Sequence, residues 1–163
     1  MKLIDSDDPI LKQQTLPWDF ENHINAAEIE REMLDLMKAS GGIGLAANQV
    51  GLDRSVFVMQ LKDGRELGFF NPTILTAEGE QLSEEGCLSF PNLFLTIKRY
   101  KKITAMFLDN SGKRCIIELE DIDAKCFQHE LDHLNGVCFT DGISKLKLER
   151  ALAKQRKLNG RTK

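Results

Sequence analysis

The segment 128–136, Gln-His-Glu-Leu-Asp-His-Leu-Asn-Gly, constrains this chain more than any other stretch. It places His129 and His133 four residues apart, and on an α-helix side chains at this spacing lie on one face. Two imidazoles on one face can bind a single metal ion. Glu130 lies about 100° further around the helix, where it can reach a water molecule without binding the metal itself. This arrangement is typical of metal-assisted hydrolysis in which the carboxylate moves a proton.

Two apolar stripes at helical spacing predict the helix that carries this motif. The stripes consist of Phe127, Leu131 and Leu134, and of Ile122, Cys126, His129 and His133. A helix that is apolar on two sides is expected at the centre of a fold, with structure packed on both flanks. Asp121 or Asp123 can cap its start, and Gly136 can end it. On the helix alone, two core histidines bonded to carbonyl groups remain an alternative.

Alternating apolar residues and turn signals predict mostly hairpin-connected strands in the remainder of the chain. Strands are predicted over 55–61, 67–70, 73–77, 94–97, 102–108 and 114–119. Helices are predicted over 25–39, where the apolar pattern includes Ile24, over the central motif, and over 143–158. Hairpins combined with three helices favour an α+β fold over a parallel sheet.

The size and charge of the chain limit its organisation and partners. It has 163 residues, 42% apolar and 29% charged, which predicts one domain over residues 1–163. A net charge of −3 gives no general nucleic-acid signature, so no specific DNA partner is expected. The sequence has no apolar run of membrane-spanning length, and residues 1–8 resemble neither a signal peptide nor a transit peptide. We therefore expect a cytoplasmic location and no membrane partner.

A catalytic zinc-type site needs a third protein ligand and one open position. Glu149 lies in a basic, surface-like helix, Phe139 occupies the position of a third histidine in one protease class, and His23 lies in a polar stretch. Cys87 is the better candidate: it follows a glycine in segment 84–89, which we predict to be a loop flanked by carboxylates, although a buried thiol in a turn would give the same pattern. A thiolate with two imidazoles is typical of zinc or ferrous iron.

The other cysteines have structural interpretations. Cys126 and Cys138 have apolar neighbours and are expected in the core, and Cys115 is expected in a strand. Four cysteines could form two disulfides, but without a secretion signal reduced thiols are expected.

The small-residue run 42–49, Gly-Ile-Gly-Leu-Ala-Ala-Asn-Gln, does not predict a nucleotide loop. Such a loop needs a preceding strand and a following lysine, whereas here a helix precedes and no lysine follows. Small residues instead indicate that the backbone approaches a ligand or another segment closely.

Three segments, 42–49, 85–89 and 128–136, together resemble the peptide deformylase family. The start at 8–11, Asp-Pro-Ile-Leu, also resembles the family, so the likeness covers nearly the whole chain. It implies an α+β fold in which antiparallel and mixed sheets surround a central metal-binding helix, with an N-terminal and a C-terminal helix. It also implies a hydrolase that removes the formyl group from the N-terminal formyl-methionine of new polypeptides and releases formate.

The resemblance assigns roles residue by residue. The implied metal ligands are Cys87, His129 and His133. Glu130 would be the general base and then the general acid, while the Gln49 side chain and the Leu88 backbone N–H would donate to the oxyanion. The implied substrate-binding residues are Ile43, Gly44 and Gly86 for the peptide backbone, and Ile122 and Cys126 for the methionine side chain.

The resemblance also implies the cofactor and the partners. One divalent metal ion per chain is expected, with ferrous iron in the cell and zinc or nickel as alternatives. Formyl-methionyl nascent peptides would be the substrates. The C-terminal helix could dock on a ribosome through basic residues, although a solvated helix end is an equal alternative. These residues are Lys145, Lys147, Arg150, Lys154, Arg156, Lys157, Arg161 and Lys163.

Three positions depart from the family pattern. Phe94 stands where many members carry Arg or Gly, and Ser83 and Lys125 stand where aliphatic residues are common. Two other functions compete with the deformylase interpretation. The lack of a downstream third ligand argues against a zinc endopeptidase. A non-catalytic deformylase-like module would be favoured by loss of Gln49, Cys87 or Glu130, and all three are present.

Overall fold

A computed structural model describes residues 1–22 and 25–160 of the chain. Within these residues, five strands form one sheet in the order β1-β2-β3-β4-β5, and every neighbouring pair is antiparallel. The strands are β1 (Gly44–Ala46), β2 (Val56–Gln60), β3 (Glu66–Cys87), β4 (Phe90–Leu108) and β5 (Arg114–Glu120). The α-helices are α1 (Ala26–Ala39), α2 (Asp121–Leu134) and α3 (Lys145–Asn159), and 3₁₀ turns span Pro9–Lys12 and Ala47–Val50. The mixed pairing implied by the family resemblance is not found in the described sheet.

The third strand runs through the predicted break at Asn71-Pro72. Asn71 has a positive φ of 48°, and the β3–β4 register shifts between Phe70 and Thr73. The Asn71 side-chain amide accepts from the Trp18 backbone N–H at 2.7 Å and donates to the Trp18 carbonyl at 2.8 Å. The strand therefore bends at a bulge fixed by the N-terminal segment instead of ending there.

The prediction that residues 84–89 form a loop was wrong for most of this segment. The structure continues β3 to Cys87 and starts β4 at Phe90, so only Leu88 and Ser89 make the turn. Beyond the strand predicted over 73–77, residues 78–80 are exposed and give no two-residue apolar periodicity that would predict a strand. Pairing with β4 satisfies their backbone groups and produces a long hairpin.

The second strand is buried on both faces and separates two helices. Val56 and Val58 pack in one cluster with Met33 and Met37 of α1. The opposite face carries Phe57, which packs with residues of α2 in a second cluster. The sheet thus lies between α1 and α2, in keeping with an α+β architecture.

The boundaries of the helices mostly match the sequence prediction. α1 begins at Ala26, and Ile24 and His23 lie outside the described residues. α3 begins two residues later than expected, at Lys145, because the Ser144 hydroxyl caps it by accepting from the Lys147 N–H at 3.4 Å. Its basic residues Arg161 and Lys163 lie outside the described residues. None of the helices described is long and apolar enough to cross a membrane.

The start of α2 differs from the prediction, whereas its end does not. The N-cap residue is Glu120, and the cap has no side-chain hydrogen bond. Asp121 is the first helical residue, and Asp123 instead accepts from the Lys62 backbone N–H at 2.9 Å. Gly136, with a φ of +71°, follows the C-terminal end as predicted.

The apolar face of α2 packs against aromatic residues of the sheet. Phe127 makes edge-to-face contacts with Phe57 and Phe69 at centroid distances of 5.0 and 5.3 Å. The cysteines match the expectation of reduced thiols, since all four are free. Cys126 and Cys138 are buried, and Cys115 lies in β5.

Candidate metal centre

The C-terminal end of β3 and the helix α2 bring one thiol and two imidazoles together. The ligand atoms of Cys87, His129 and His133 all lie within 4.8 Å of one another. Cys87 Sγ lies 3.2 Å from His133 Nε2, and the two imidazole rings have centroids 4.9 Å apart. One sulfur and two nitrogens suit a tetrahedral zinc or ferrous site that keeps a fourth position open.

A buried ionic network fixes the orientation of His129. His129 Nδ1 lies 2.9 Å from Glu85 Oε2, which leaves Nε2 as the ring nitrogen available to a metal. The Glu85 carboxylate accepts from Arg99 Nε at 2.9 Å and from Arg99 Nη2 at 3.0 Å. Arg99 also donates from Nη1 to Asp132 on α2. A carboxylate on the outer nitrogen of a ligand histidine sets its tautomer and raises its basicity as a ligand.

The same network controls the charges around the cluster. Burial opposes the ionisation of Glu85, but hydrogen bonds from His129 and Arg99 outweigh it and lower the Glu85 pKa to about 2. Burial lowers the pKa of His129, but hydrogen bonds with Cys87 and Glu85 outweigh it and raise that pKa to about 10. A cation that binds His129 Nε2 must displace the proton held there.

Glu130 lies beside the cluster in a nearly dry environment. It is 4% exposed, and Oε2 has no hydrogen-bond partner among the described residues. Burial raises the pKa of Glu130 to about 7. An unpaired buried carboxylate oxygen needs a ligand or water as its partner, and together with the thiol and the imidazoles it makes a donor set that fits a bound cation and its water.

The glycine run allows β1 to approach Glu130 closely. A Cβ atom on Gly44 would overlap Glu130 Oε1 and would lie 2.7 Å from Cys126 Sγ. A Cβ on Gly42 would lie 2.8 Å from Leu88 Cδ1. The expectation that these small residues bring the backbone against another segment is confirmed.

Gln49 is held with its amide group towards the thiol. Its Oε1 accepts from the Ala46 N–H at 2.9 Å, while Nε2 donates to Ser89 Oγ at 3.0 Å and contacts Cys87 Sγ at 3.3 Å. The sequence reasoning gave no role to Ser89, Glu85 or Arg99. Glu85 and Ser89 lie within the segment 85–89 that resembles the family. Arg99 becomes a neighbour of Glu85 only through the β3–β4 hairpin.

One cavity of about 600 Å³ joins these groups to the predicted substrate-binding residues. Its lining includes Ile43, Gly44, Gln49, Gly86, Cys87, Leu88, Ile122, Cys126, His129 and Glu130. Among the predicted site residues, His133 alone is absent from this lining, and its Nδ1 has no hydrogen-bond partner within the described parts of the chain. Phe94 also lines the cavity, and its ring packs over Gly86, where a Cβ would lie 3.0 Å from Cε1.

Comparison with known proteins identifies the family. A family model described as polypeptide deformylase matches residues 1–149. The chain belongs to this family. A peptide deformylase of Rhizobium meliloti (strain 1021) is 41% identical over 148 residues, which cover 86% of this chain and 83% of the relative. The curated "Peptide deformylase 2" of Xanthomonas axonopodis pv. citri (strain 306) is 37% identical and covers 96% of both chains.

Solved deformylase structures have the same fold. The crystal structure of a peptide deformylase from Legionella pneumophila superposes with a TM-score of 0.89 at 33% identity, over 99% of this chain and 96% of that one. The crystal structure of a peptide deformylase from Synechococcus elongatus in complex with actinonin superposes with a TM-score of 0.88 at 33% identity. The match covers 96% of this chain and 88% of that one. The family resemblance inferred from the sequence is confirmed. As a peptide deformylase, the chain is a metal-dependent hydrolase that removes N-formyl groups from nascent polypeptides and releases formate.

The contact between Glu85 and His129 predicts a specific defect in metal binding. Glu85→Gln should weaken zinc binding about 10–100-fold, because it removes the carboxylate that orients His129, the predicted metal ligand, and makes its imidazole more basic. Competition with a chromophoric chelator measures the dissociation constant. Glu84→Gln is the matched control, since this neighbouring carboxylate is exposed and should leave zinc affinity unchanged. Equal affinities in the two variants would contradict the role of Glu85.

Proposed function

We propose that Cys87, His129 and His133 bind one divalent metal ion and that Glu130 is the acid–base catalyst of deformylation. The observation that supports this is the cluster of one thiol and two imidazoles beside a buried carboxylate with an unpaired oxygen. A cation held there supplies Lewis acidity, which polarises the formyl carbonyl and lowers the pKa of water towards neutrality. In this proposal α2 is the metal-binding helix at the centre of the fold.

The chain's own groups move the proton and stabilise the developing charge. Glu130 accepts a proton from the attacking water and delivers it to the departing amine nitrogen. The Gln49 side chain and the Leu88 backbone N–H donate to the formyl oxygen as negative charge accumulates there. Loss of one such donor commonly costs about 3 kcal/mol of transition-state stabilisation. Gln49 accepts a hydrogen bond from the Ala46 N–H and donates one to Ser89 Oγ. These bonds hold its amide in one orientation, so little reorganisation is needed during the reaction.

The cavity is the proposed binding site of the formylated peptide. Gly44 in β1, Gly86 in β3 and Ile43, which directly precedes β1, line the cavity, and we propose that their backbone pairs with the extended peptide. Ile122 and Cys126 line the neighbouring part of the cavity and accept the methionine side chain. The Cys126 thiol donates to the Ile43 carbonyl at 3.7 Å, which leaves an apolar surface towards a thioether.

Replacing the proposed acid–base group separates catalysis from metal binding. Glu130→Gln keeps the size of the side chain but cannot accept a proton, so formate release from a formyl-Met-Ala-Ser peptide should fall by about 100-fold or more. Metal content measured by atomic absorption should equal that of the unaltered protein, because Glu130 is not a ligand. Normal turnover in this variant would show that Glu130 does not carry the proton.

We propose ferrous iron as the working metal. A Cys-His-His set accepts both zinc and iron, and nickel is a further alternative, so the donor atoms alone do not choose between them. The family resemblance favours iron. One anionic thiolate leaves a bound dication with a net charge of about +1, which is still a useful Lewis acid.

Exposure to air distinguishes the iron form from the zinc form. Protein loaded anaerobically with iron should start faster than the zinc form and lose activity in air, because zinc has no redox chemistry. Mass spectrometry should find added oxygen on Cys87. Cys126 is the internal control, since burial raises its thiol pKa well above the usual value and keeps it unreactive. Equal initial rates and equal air stability would contradict the iron proposal.

We further propose that α3 docks on a ribosome. The helix is exposed on its basic face, which carries Lys147, Arg150 and Lys154, and it has only Glu149 as an opposing charge. A polyanion such as ribosomal RNA would attract such a face. Its other face packs Leu148, Ala151 and Leu152 against a buried cluster, so the helix cannot be removed without exposing the core.

Charge neutralisation on α3 tests this docking while the fold is preserved. The triple change Lys147→Gln, Arg150→Gln and Lys154→Gln should weaken salt-sensitive ribosome binding in sedimentation and leave turnover of a small formyl peptide unchanged. The control neutralises three exposed cations elsewhere, Lys62, Lys101 and Arg114. If both triple variants bind ribosomes equally, α3 is not the docking surface.

A further inference from the structure

The cavity beside Cys87 and His129 has a polar end that the proposed deformylation mechanism does not use. Ser83 of β3 and Lys125 of α2 line the same cavity as Ile122 and Cys126. Lys125 lies one helical turn before His129, a rise of about 6 Å along the axis. That distance is comparable to an extended methionine side chain. With Ile122 and Cys126 as the proposed pocket for the first side chain, this end of the cavity is within reach of the tip of that side chain.

Contacts at both ends of a short stretch of β3 determine what Ser83 faces. Gln81 Nε2 donates to the Asp121 carbonyl oxygen at 3.4 Å. Four residues further along β3, Glu85 Oε2 lies 2.9 Å from His129 Nδ1. Since side chains two apart share a strand face, Ser83 lies between these contacts on the side of α2. The helix residue midway between the two contacted positions is Lys125. The next residue, Glu84, is exposed and also lines the cavity, whereas the Glu85 carboxylate is engaged by His129 and Arg99.

Both polar groups have unused hydrogen-bonding capacity. Ser83 is 2% exposed, and its hydroxyl has no hydrogen-bond partner among the described residues. Lys125 is half-buried and forms no ion pair within the described parts of the chain. It is the only lysine or arginine in the described lining of the cavity. The Ser83 hydroxyl and the Lys125 ammonium therefore both line the cavity as available donors, which suits a ligand with an acceptor atom.

The surroundings make this polar pair selective. Ile43, Ile122 and Phe94 supply apolar lining to the same cavity. The Cys126 thiol already donates to the Ile43 carbonyl and does not compete for a ligand. Glu130 lines the cavity one residue beyond His129, at the reacting end rather than at the polar end. An acceptor at the tip of the side chain would therefore meet donors, while the stem of that side chain would meet apolar atoms.

We propose that Ser83 and Lys125 are specificity-determining residues that let this chain deformylate peptides whose formylated first residue ends in a hydrogen-bond acceptor. Methionine sulfoxide is the member of that class that arises from methionine itself, by oxidation of the thioether. The inference rests on the proposed function, in which Ile122 and Cys126 line the pocket for the first side chain. The reaction is the same hydrolysis: water adds to the formyl carbon, the formyl C–N bond breaks and formate leaves, while the sulfoxide is unchanged.

The test compares formate release from three peptides that differ only in the first residue. These carry formyl-methionine, formyl-methionine sulfoxide or formyl-norleucine before Ala-Ser. The kcat/KM of the unaltered protein for the sulfoxide should lie within about threefold of that for methionine. A pocket without matching donors would lower it about 10- to 100-fold, because the sulfoxide oxygen would be buried without a partner.

Variants at the polar end identify the residues responsible. Lys125→Met should raise the preference for methionine over its sulfoxide at least about tenfold, and Ser83→Ala should raise it by a smaller factor. Lys125→Arg keeps a cationic donor and should keep the preference close to that of the unaltered protein. Lys62→Met removes an exposed lysine outside the cavity and should leave all three rates unchanged.

The outcomes separate this inference from the proposed function. A protein that deformylates formyl-methionine but rejects the sulfoxide 100-fold would overturn only the inference. An equal loss of kcat/KM on the methionine and methionine sulfoxide peptides in Lys125→Met would also overturn the inference, because it would indicate a structural role without selectivity. If the unaltered protein releases no formate from any of the peptides, the proposed function itself is wrong and the inference falls with it.

Discussion

The buried ion pair between Glu85 and Arg99 is the interaction on which the rest of the site depends. It joins the two strands of the long hairpin, and through His129 and Asp132 it ties that hairpin to α2. Both partners are nearly inaccessible to solvent, so loss of either would leave an uncompensated charge at a cost of about 3–5 kcal/mol. Because the same carboxylate holds the imidazole, the stability of the hairpin and the orientation of His129 depend on one group.

Packing around β2 explains why α2 can carry polar groups in a dry environment. The helix uses Phe127 to fill the core against the sheet, while its histidines face the hairpin end and β1. Glu130 lies between these surfaces, against a glycine backbone that leaves no room for a side chain. Low dielectric strengthens every charge interaction in such a position, which suits the proton exchange proposed for Glu130.

The cavity combines two kinds of recognition along one helix. At the end of α2 nearer His129, a thiol, two imidazoles and a carboxylate form the proposed reacting centre. One turn earlier on α2, Lys125 lines the same cavity together with Ser83 of β3 and the apolar side chains of Ile43, Ile122 and Phe94. The reacting end follows the family pattern, whereas the other end is where this chain departs from it. In the proposed roles, the selectivity residue Lys125 and the acid–base residue Glu130 lie on different turns of α2, so chemistry and selectivity can vary independently.

The sequence by itself determined the elements with strong local signals. The four-residue spacing of His129 and His133, Gly136 at the end of the helix and the glycine run before Gln49 each express a local backbone requirement. Together with the segment around Cys87 they sufficed to predict the family, the α+β class and the residues that meet in the cavity. The positions of most helices and strands followed from periodicity in the same way.

Only the tertiary structure decided how distant residues meet. The join of β3 across Asn71 depends on hydrogen bonds to Trp18, which no local pattern contains. Arg99 becomes the partner of Glu85 only when β3 pairs with β4. The exposed polar part of β3 has no apolar periodicity from which this pairing could be predicted. The environment of Ser83 likewise depends on the alignment of β3 with α2. Pairing, burial and unsatisfied hydrogen bonds are properties of two or more segments together, so a single sequence window cannot specify them.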